Sequence, residues 1–309
     1  MALVRVTARC NQRCRFCNVN FATETSGDLT AAQVRDMVTG RLFHPEESVE
    51  LSGGEPTLNP ELPAIVNELR DFEGLTLQTN GLLLARGDLA KRLHKAGLRR
   101  ALVSLHAADA AVSDALTGAP GSFLKTLQGI DALRNAGIRI SLNTVVNRHN
   151  HRDLPAIVEL AVGRFGRRIH LVFSFMAPYG QAATNFDDLV FPLAEALPFL
   201  AEAIERAASR GVKLRIPDVC GLPPCLVPAH PEVFDLLELV LKGWPVTRTG
   251  KKIKGPHCGQ CGFNPWCEGL WEPYGAVFDV SRLAPLRRSV RDIARQALPL
   301  GERLRLRVW

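Results

Sequence analysis

No run in this chain approaches the roughly 18 consecutive apolar residues that cross a bilayer, and Met1 leads into Leu3-Val4-Arg5-Val6 without the basic region, apolar stretch or cleavage site of a secretory leader. Extremes of composition are missing too. Apolar residues make up 46% and charged residues 22%, with a mean hydropathy of +0.02, which excludes disordered and fibrous chains. The expectation is a globular, cytoplasmic protein with no membrane partner. Its 309 residues are the length of about two average domains, or of one α/β barrel with an appendage.

Cysteine is absent between Cys17 and Cys220, so all eight lie towards the two ends. In a chain without a leader, such clustering fits metal binding or redox chemistry better than structural disulfides. Charge of one sign is not concentrated either, because the net charge of +7 and isoelectric point near 9.2 come from arginines scattered along the chain. Arg287, Arg288, Arg291 and Arg295 fall at helical spacing, and Arg303, Arg305 and Arg307 alternate. Neither set accompanies a nucleic-acid motif, so both read as solvated faces and no nucleic-acid partner is expected.

Strand-like runs near 3–7, 48–52, 75–79, 100–105, 138–146 and 168–175 alternate with helical patterns near 29–40, 60–71, 87–96, 121–136 and 151–164. Six such units, joined right-handed, place the C-terminal ends of parallel strands on one face, where loops assemble a site. The expected fold is α/β: a partial (β/α)6 TIM-like barrel over residues 1–211, closed by a helix from Pro192 to Arg210 that Gly211 ends. Residues 212–309 differ in composition, since Pro217, Pro223, Pro224, Pro228, Pro231 and Pro245 interrupt the chain and five cysteines appear. They are expected to form a small Cys-rich C-terminal domain with a basic tail.

Cys10, Cys14 and Cys17 form C-x3-C-x2-C. Three thiolates in one short loop hold three irons of a [4Fe-4S] cluster and leave the fourth open for a substrate or cofactor. Gly53-Gly54-Glu55-Pro56 follows the strand-like run 48–52, where an α/β sheet presents its binding edge. Cys10, Glu55, Asn80 and His106 all fall just after predicted strands.

The run Cys10-Asn11-Gln12-Arg13-Cys14-Arg15-Phe16-Cys17, with its aromatic before the third cysteine, resembles the cluster loop of the radical S-adenosylmethionine (radical SAM) enzymes, and Gly53 to Pro56 resembles their second motif. The order of strands and helices extends the resemblance over roughly residues 3–180. It implies that S-adenosylmethionine chelates the open iron, with Gly53, Gly54, Glu55 and Pro56 holding its amino group, that Thr79, Ser104 and Asn143 line its carboxylate and ribose, and that Phe16 also belongs to the cofactor site. Glycines allow close approach of backbone to a ligand, and Glu55 offers a charged acceptor near the ammonium. An electron donor such as flavodoxin or ferredoxin would feed the cluster. Cleavage of the sulfonium would give a 5'-deoxyadenosyl radical that removes hydrogen from an unactivated carbon.

In the tail, Cys258-x2-Cys261-x5-Cys267 is a second ligand cluster that needs a further thiolate, from Cys220 or Cys225. It resembles the Twitch and SPASM auxiliary-cluster domains, although five cysteines support one extra [4Fe-4S] cluster and not the two of the long form. A structural zinc is the alternative. Full ligation by thiolate points to electron transfer, as in oxidation or cross-linking. The substrate is expected to be a peptide undergoing maturation, or else a small molecule such as a sugar, aminocyclitol or nucleotide. A non-catalytic iron-sulfur or zinc scaffold is the reading from another class. His106 is the best placed acid or base, with His149, His151, His170, Tyr179 and Asp109 as further candidates. Met176 to Gly180 turns the chain, and Trp244, Trp266 and Trp271 are expected to pack around the tail cluster.

Overall fold

The computed structural model describes residues 2–19, 27–40, 48–72 and 74–298; Arg303, Arg305 and Arg307 lie outside them. Seven strands form one parallel sheet in sequence order: β1 (Ala2–Arg5), β2 (Val49–Ser52), β3 (Thr76–Thr79), β4 (Arg100–Ser104), β5 (Arg139–Val146), β6 (Ile169–Phe175) and β7 (Lys213–Arg215). Between them run α1 (Ala31–Thr39), α2 (Leu62–Glu68), α3 (Leu89–Ala96), α4 (Ala110–Thr117), α5 (Ser122–Asn135), α6 (Leu154–Phe165), α7 (Gly180–Thr184), α8 (Phe186–Leu189) and α9 (Leu193–Ser209). Strictly sequential order with crossovers of one hand puts the connecting helices on one face, so the sheet curls into a partial barrel whose end strands, β1 and β7, do not pair with each other.

The strand patterns show how sequence selects the two faces. Along β5, Ile140, Leu142, Thr144 and Val146 are buried, while Ser141, Asn143 and Val145 are partly exposed. The buried set belongs to the layer under the helices, with Leu51, Leu77, Val103, Leu171 and Phe173. The alternate set faces the lumen and is polar: Ser52, Gln78, Ser104, Ser141 and Asn143. Such a lumen is a site, not a filled core.

Two helix boundaries follow from local chemistry. Thr30 caps α1 through a reciprocal box with Gln33. The arginines Arg287 and Arg288 fall outside α11 (Val290–Ala297), because Ser289 caps that helix and leaves only Arg291 and Arg295 on it.

The six strands expected are seven. Strand β7 follows Gly211 and pairs with β6, so the sheet continues past residue 212. Its three residues, Lys213-Leu214-Arg215, are too few for a period to register. Beyond it come α10 (Asp235–Lys242), an antiparallel pair β8 (Lys252–Ile253) and β9 (Leu270–Trp271), and α11. The tail has a small core of its own around Leu236, Leu237, Phe263, Val290 and Ile293. Leu270, Trp271, Tyr274 and Phe278 join the barrel core instead. Contacts at the top of β6 secure this joint, with Phe175 N–H donating to Cys220 O at 2.5 Å and Tyr274 Oη–H to Met176 O at 3.1 Å. Trp244 does not pack there; it is 55% exposed, with the Lys242 ammonium over its ring.

Helix α5 presses on the turn after β3 at Gly129, where a Cβ would overlap the carbonyl of Gly81. Gly129→Ala is therefore expected to lower the urea unfolding midpoint by the equivalent of about 2 kcal/mol, although alanine is the better helix former by about 1 kcal/mol. An unchanged or raised midpoint would contradict this packing.

Candidate functional site

The loop of Cys10, Cys14 and Cys17 is held from three sides. Arg13 and Arg15 N–H donate to Thr117 O and Leu116 O at the end of α4, at 2.9 and 3.0 Å, and Ala182 N–H of α7 donates to Cys17 O at 2.9 Å. Asn185 Nδ2 donates to Arg15 O at 3.0 Å. Phe16 is buried among Leu116, Met176, Ala182 and Leu189, edge-on to His106 at 4.4 Å between ring centroids. It anchors the loop.

The three thiols are partly buried, and burial pushes all of them up from the ordinary thiol range. Cys14 is raised furthest, because Cys17 and Cys10 oppose its ionisation as well. Arg5, reaching up from β1, favours the Cys17 thiolate. A bound cation reverses this balance and expels the protons, so the donor set fits iron-sulfur ligation. Among the described residues the acid that perturbs these thiols is Glu55, whose oxygens are already committed. Glu55 is therefore not free to serve the trio as a fourth ligand.

Glu55 is 1% exposed and accepts four hydrogen bonds. Oε1 takes Thr57 N–H at 3.1 Å, Thr57 Oγ1–H at 2.6 Å and Thr79 Oγ1–H at 2.6 Å, and Oε2 takes Asn80 N–H at 2.7 Å. Burial raises its carboxyl and the donors oppose that rise. In this structure the Glu55 carboxylate and the Thr79 hydroxyl bond each other. The Gly53-Gly54 pair also packs closely within the protein. Gly54 N–H donates to Thr7 O at 2.8 Å and Glu55 N–H to Arg9 O at 2.7 Å, and side chains at 53 and 54 would overlap the carbonyls of Thr7 and Arg9. The glycines let the second motif lie against the backbone leading into the thiol loop. Pro56 starts the short turn that follows, over Pro56–Leu58.

Two asparagines complete this hub: Asn59, which the sequence did not mark, and Asn80, marked there only by its place after a strand. Buried Asn59 donates to Val6 O at 2.8 Å and Leu29 O at 2.9 Å. Asn80 donates through Nδ2 to Asn11 Oδ1 at 2.7 Å, tying β3 to the thiol loop. Their partners lie far off in sequence, so no local signal marks these bonds.

Ser104 and Asn143 stand side by side in register on β4 and β5, both lumen-facing. Ser174, also missed, donates to Asn143 Oδ1 at 2.8 Å and leaves the amide N–H groups as the available donors. His106 is buried at the end of β4. Its Nδ1 accepts from Val145 N–H at 3.2 Å, and burial lowers its pKa to about 3. Its ring is therefore held neutral, with Nε2–H as the donor.

The other candidates separate. Asp109 caps α4 through Ala111 and Val112 N–H. His149 pairs with Asp188 at 3.0 Å, alongside Arg15. His151 is buried and stacked on Phe191. Tyr179 meets Trp271 edge-on at 5.3 Å across the joint with the tail. His170 faces the lumen.

In the tail, Cys225, Cys258, Cys261 and Cys267 line one cavity, with Pro223, Phe263 and Leu283 in its wall. Burial pushes Cys225 up to about 12, and the other three thiols add to the rise. Cys220 stands apart, beside Lys252 and Asp218. Among the described residues no three His, Cys, Asp or Glu side chains converge as a single metal ion requires.

A family model described as the radical SAM superfamily matches residues 4–161. A probable GTP 3',8-cyclase of Sulfolobus acidocaldarius is 31% identical over 172 residues, covering 55% of this chain and 54% of that protein. An AdoMet-dependent heme synthase of Methanosarcina barkeri is 33% identical over 179 residues, covering 57% and 50%. The chain thus spans about half the length of these curated relatives. Among solved structures, Streptococcus suis SuiB bound to precursor peptide SuiA aligns with TM-score 0.58 at 14% identity, over 74% of this chain and 50% of SuiB. Native anSMEcpe with bound AdoMet aligns with TM-score 0.55 at 15% identity, over 82% and 69%. At such identities the structures share the fold alone.

Removing one donor from the buried carboxylate, as in Thr79→Val, is expected to destabilise the protein by about 1–3 kcal/mol in urea unfolding, with Thr79→Ser close to wild type. Equal stability of the two variants would remove Thr79 from the hub.

Proposed function

Because the chain belongs to the radical SAM superfamily, whose enzymes use a [4Fe-4S] cluster that binds S-adenosylmethionine, we propose that Cys10, Cys14 and Cys17 hold that cluster and that the barrel lumen presents a small-molecule substrate to it. When bound, cluster and sulfonium supply a 5'-deoxyadenosyl radical that takes hydrogen from the substrate. The chain's own part is placement. Glu55 fixes the second motif against the thiol loop, Phe16 and His106 brace that loop, and Ser104 with Asn143 offers donors to the cofactor's carboxylate or ribose. Dryness comes from the apolar cluster of Phe16, Leu116, Met176 and Leu189 beside the loop.

We further propose that residues 212–309 form an auxiliary domain in which Cys225, Cys258, Cys261 and Cys267 complete a second [4Fe-4S] cluster, with Cys220 the spare thiol. The observation that carries this is the single cavity lined by those four sulfurs. A fully thiolate-ligated cluster has no open iron for substrate, so its role is to take up the electron left after hydrogen removal. The small-molecule reading is preferred to peptide maturation because the relatives of about 31–33% identity carry small-molecule names, whereas the peptide enzyme shares only the fold.

Anaerobic reconstitution of the intact chain is expected to give about eight irons, falling to about four in Cys225→Ala and remaining near eight in Cys220→Ala. Under strong reductant the wild type should release 5'-deoxyadenosine and Cys14→Ala should not. About four irons with one zinc would overturn the auxiliary cluster, and no deoxyadenosine from the wild type would support a non-catalytic scaffold.

A further inference from the structure

The lumen wall made by β5, β6 and β7 is cationic. Reading lumen-facing positions, Arg139 stands on β5, and His170 pairs in register with Ser141 on one side and Lys213 on the other. Arg139, His170 and Lys213 are all exposed, and among the described residues neither Arg139 nor Lys213 is ion-paired with a carboxylate. Arg139, Lys213 and Arg215 are near enough to His170 to oppose its protonation. Arg215 is neutralised by Asp235 at 2.5 Å and Glu238 at 2.7 Å. The acid on β2, Glu50, is bonded to Gln78, and burial raises its carboxyl, so it does not answer the charge across the lumen.

Resting on the reading that the lumen holds a small-molecule substrate, we infer that Arg139, His170 and Lys213 bind a phosphate group of that substrate. Gathering like charges without counter-charge raises the energy of the empty lumen and is relieved by an anion. Depth supports the assignment. His170 lies two residues below the Ser104–Asn143 row and Arg139 four below, which at about 3.3 Å per residue is about 7 and 13 Å. A compact phosphorylated molecule spans that depth, with its reacting carbon near the cofactor row and its anionic end on the wall. Cations gathered around one imidazole match a single polyoxyanion, whereas carboxylates on one side of an extended peptide recur only every 7 Å or so.

The test is calorimetric titration of the full-length reconstituted protein with inorganic tripolyphosphate, alongside an acidic hexapeptide of equal charge. Saturable binding of tripolyphosphate is expected, weakened about tenfold in Arg139→Ala and in Lys213→Ala, recovered in Lys213→Arg, and unchanged in Lys125→Ala on the exposed face of α5. Retained iron content verifies that the variants fold. Non-saturable binding, an equal loss in Lys125→Ala, or peptide binding as tight as that of tripolyphosphate would overturn the inference. Deoxyadenosine release by the wild type reports separately on the radical chemistry, so saturable phosphate binding without release would sink that reading and leave this wall standing.

Discussion

A single buried carboxylate organises the N-terminal site. Glu55 lies beneath the thiol loop, where a charge is costly unless several donors meet it, and four do, from residues 57, 79 and 80. Those donors come from the turn after β2 and the end of β3, so satisfying the carboxylate fixes two strand ends relative to each other. The same segment is bonded through its backbone to Thr7 and Arg9, which places the thiol loop. Sheet edge, second motif and cysteines are therefore one rigid assembly, and the precision that radical chemistry demands is supplied before any cofactor arrives.

Charge is divided between the ends of the molecule's working parts. At the top of the barrel, buried thiols resist ionisation until a cation joins them; deeper in the lumen, cations stand without counter-charge. The first arrangement suits a metal and the second would suit the proposed anion, and the Ser104–Asn143 row lies between them. The tail meets the barrel at the top of β6, through Phe175, Met176 and Tyr179. None of the described helices is long and apolar enough to cross a membrane.

Much of this was legible in the sequence because its chemistry is contiguous. Cys10, Cys14 and Cys17 lie within eight residues, Gly53 to Pro56 are adjacent, and alternation along β5 declares which side faces the lumen. What was not legible depends on partners distant in the chain. Cys220 and Cys225 are equivalent by spacing, and only the folded tail brings Cys225 to the cavity and leaves Cys220 at the top of β6. Nothing in either motif reveals that Glu55 and Thr79 bond each other across 24 positions. Strand β7 escaped because three residues carry no periodicity, and with it escaped the pairing of Lys213 with His170.

The central claim is that the N-terminal thiol trio leaves one iron open to the sulfonium. The most direct measurement is hyperfine spectroscopy of the reduced N-terminal cluster in the presence of S-adenosylmethionine isotopically labelled in its amino and carboxylate groups. Coupling of both labels to the cluster spin is predicted. A reduced cluster whose spectrum shows neither coupling would contradict an open iron at that corner.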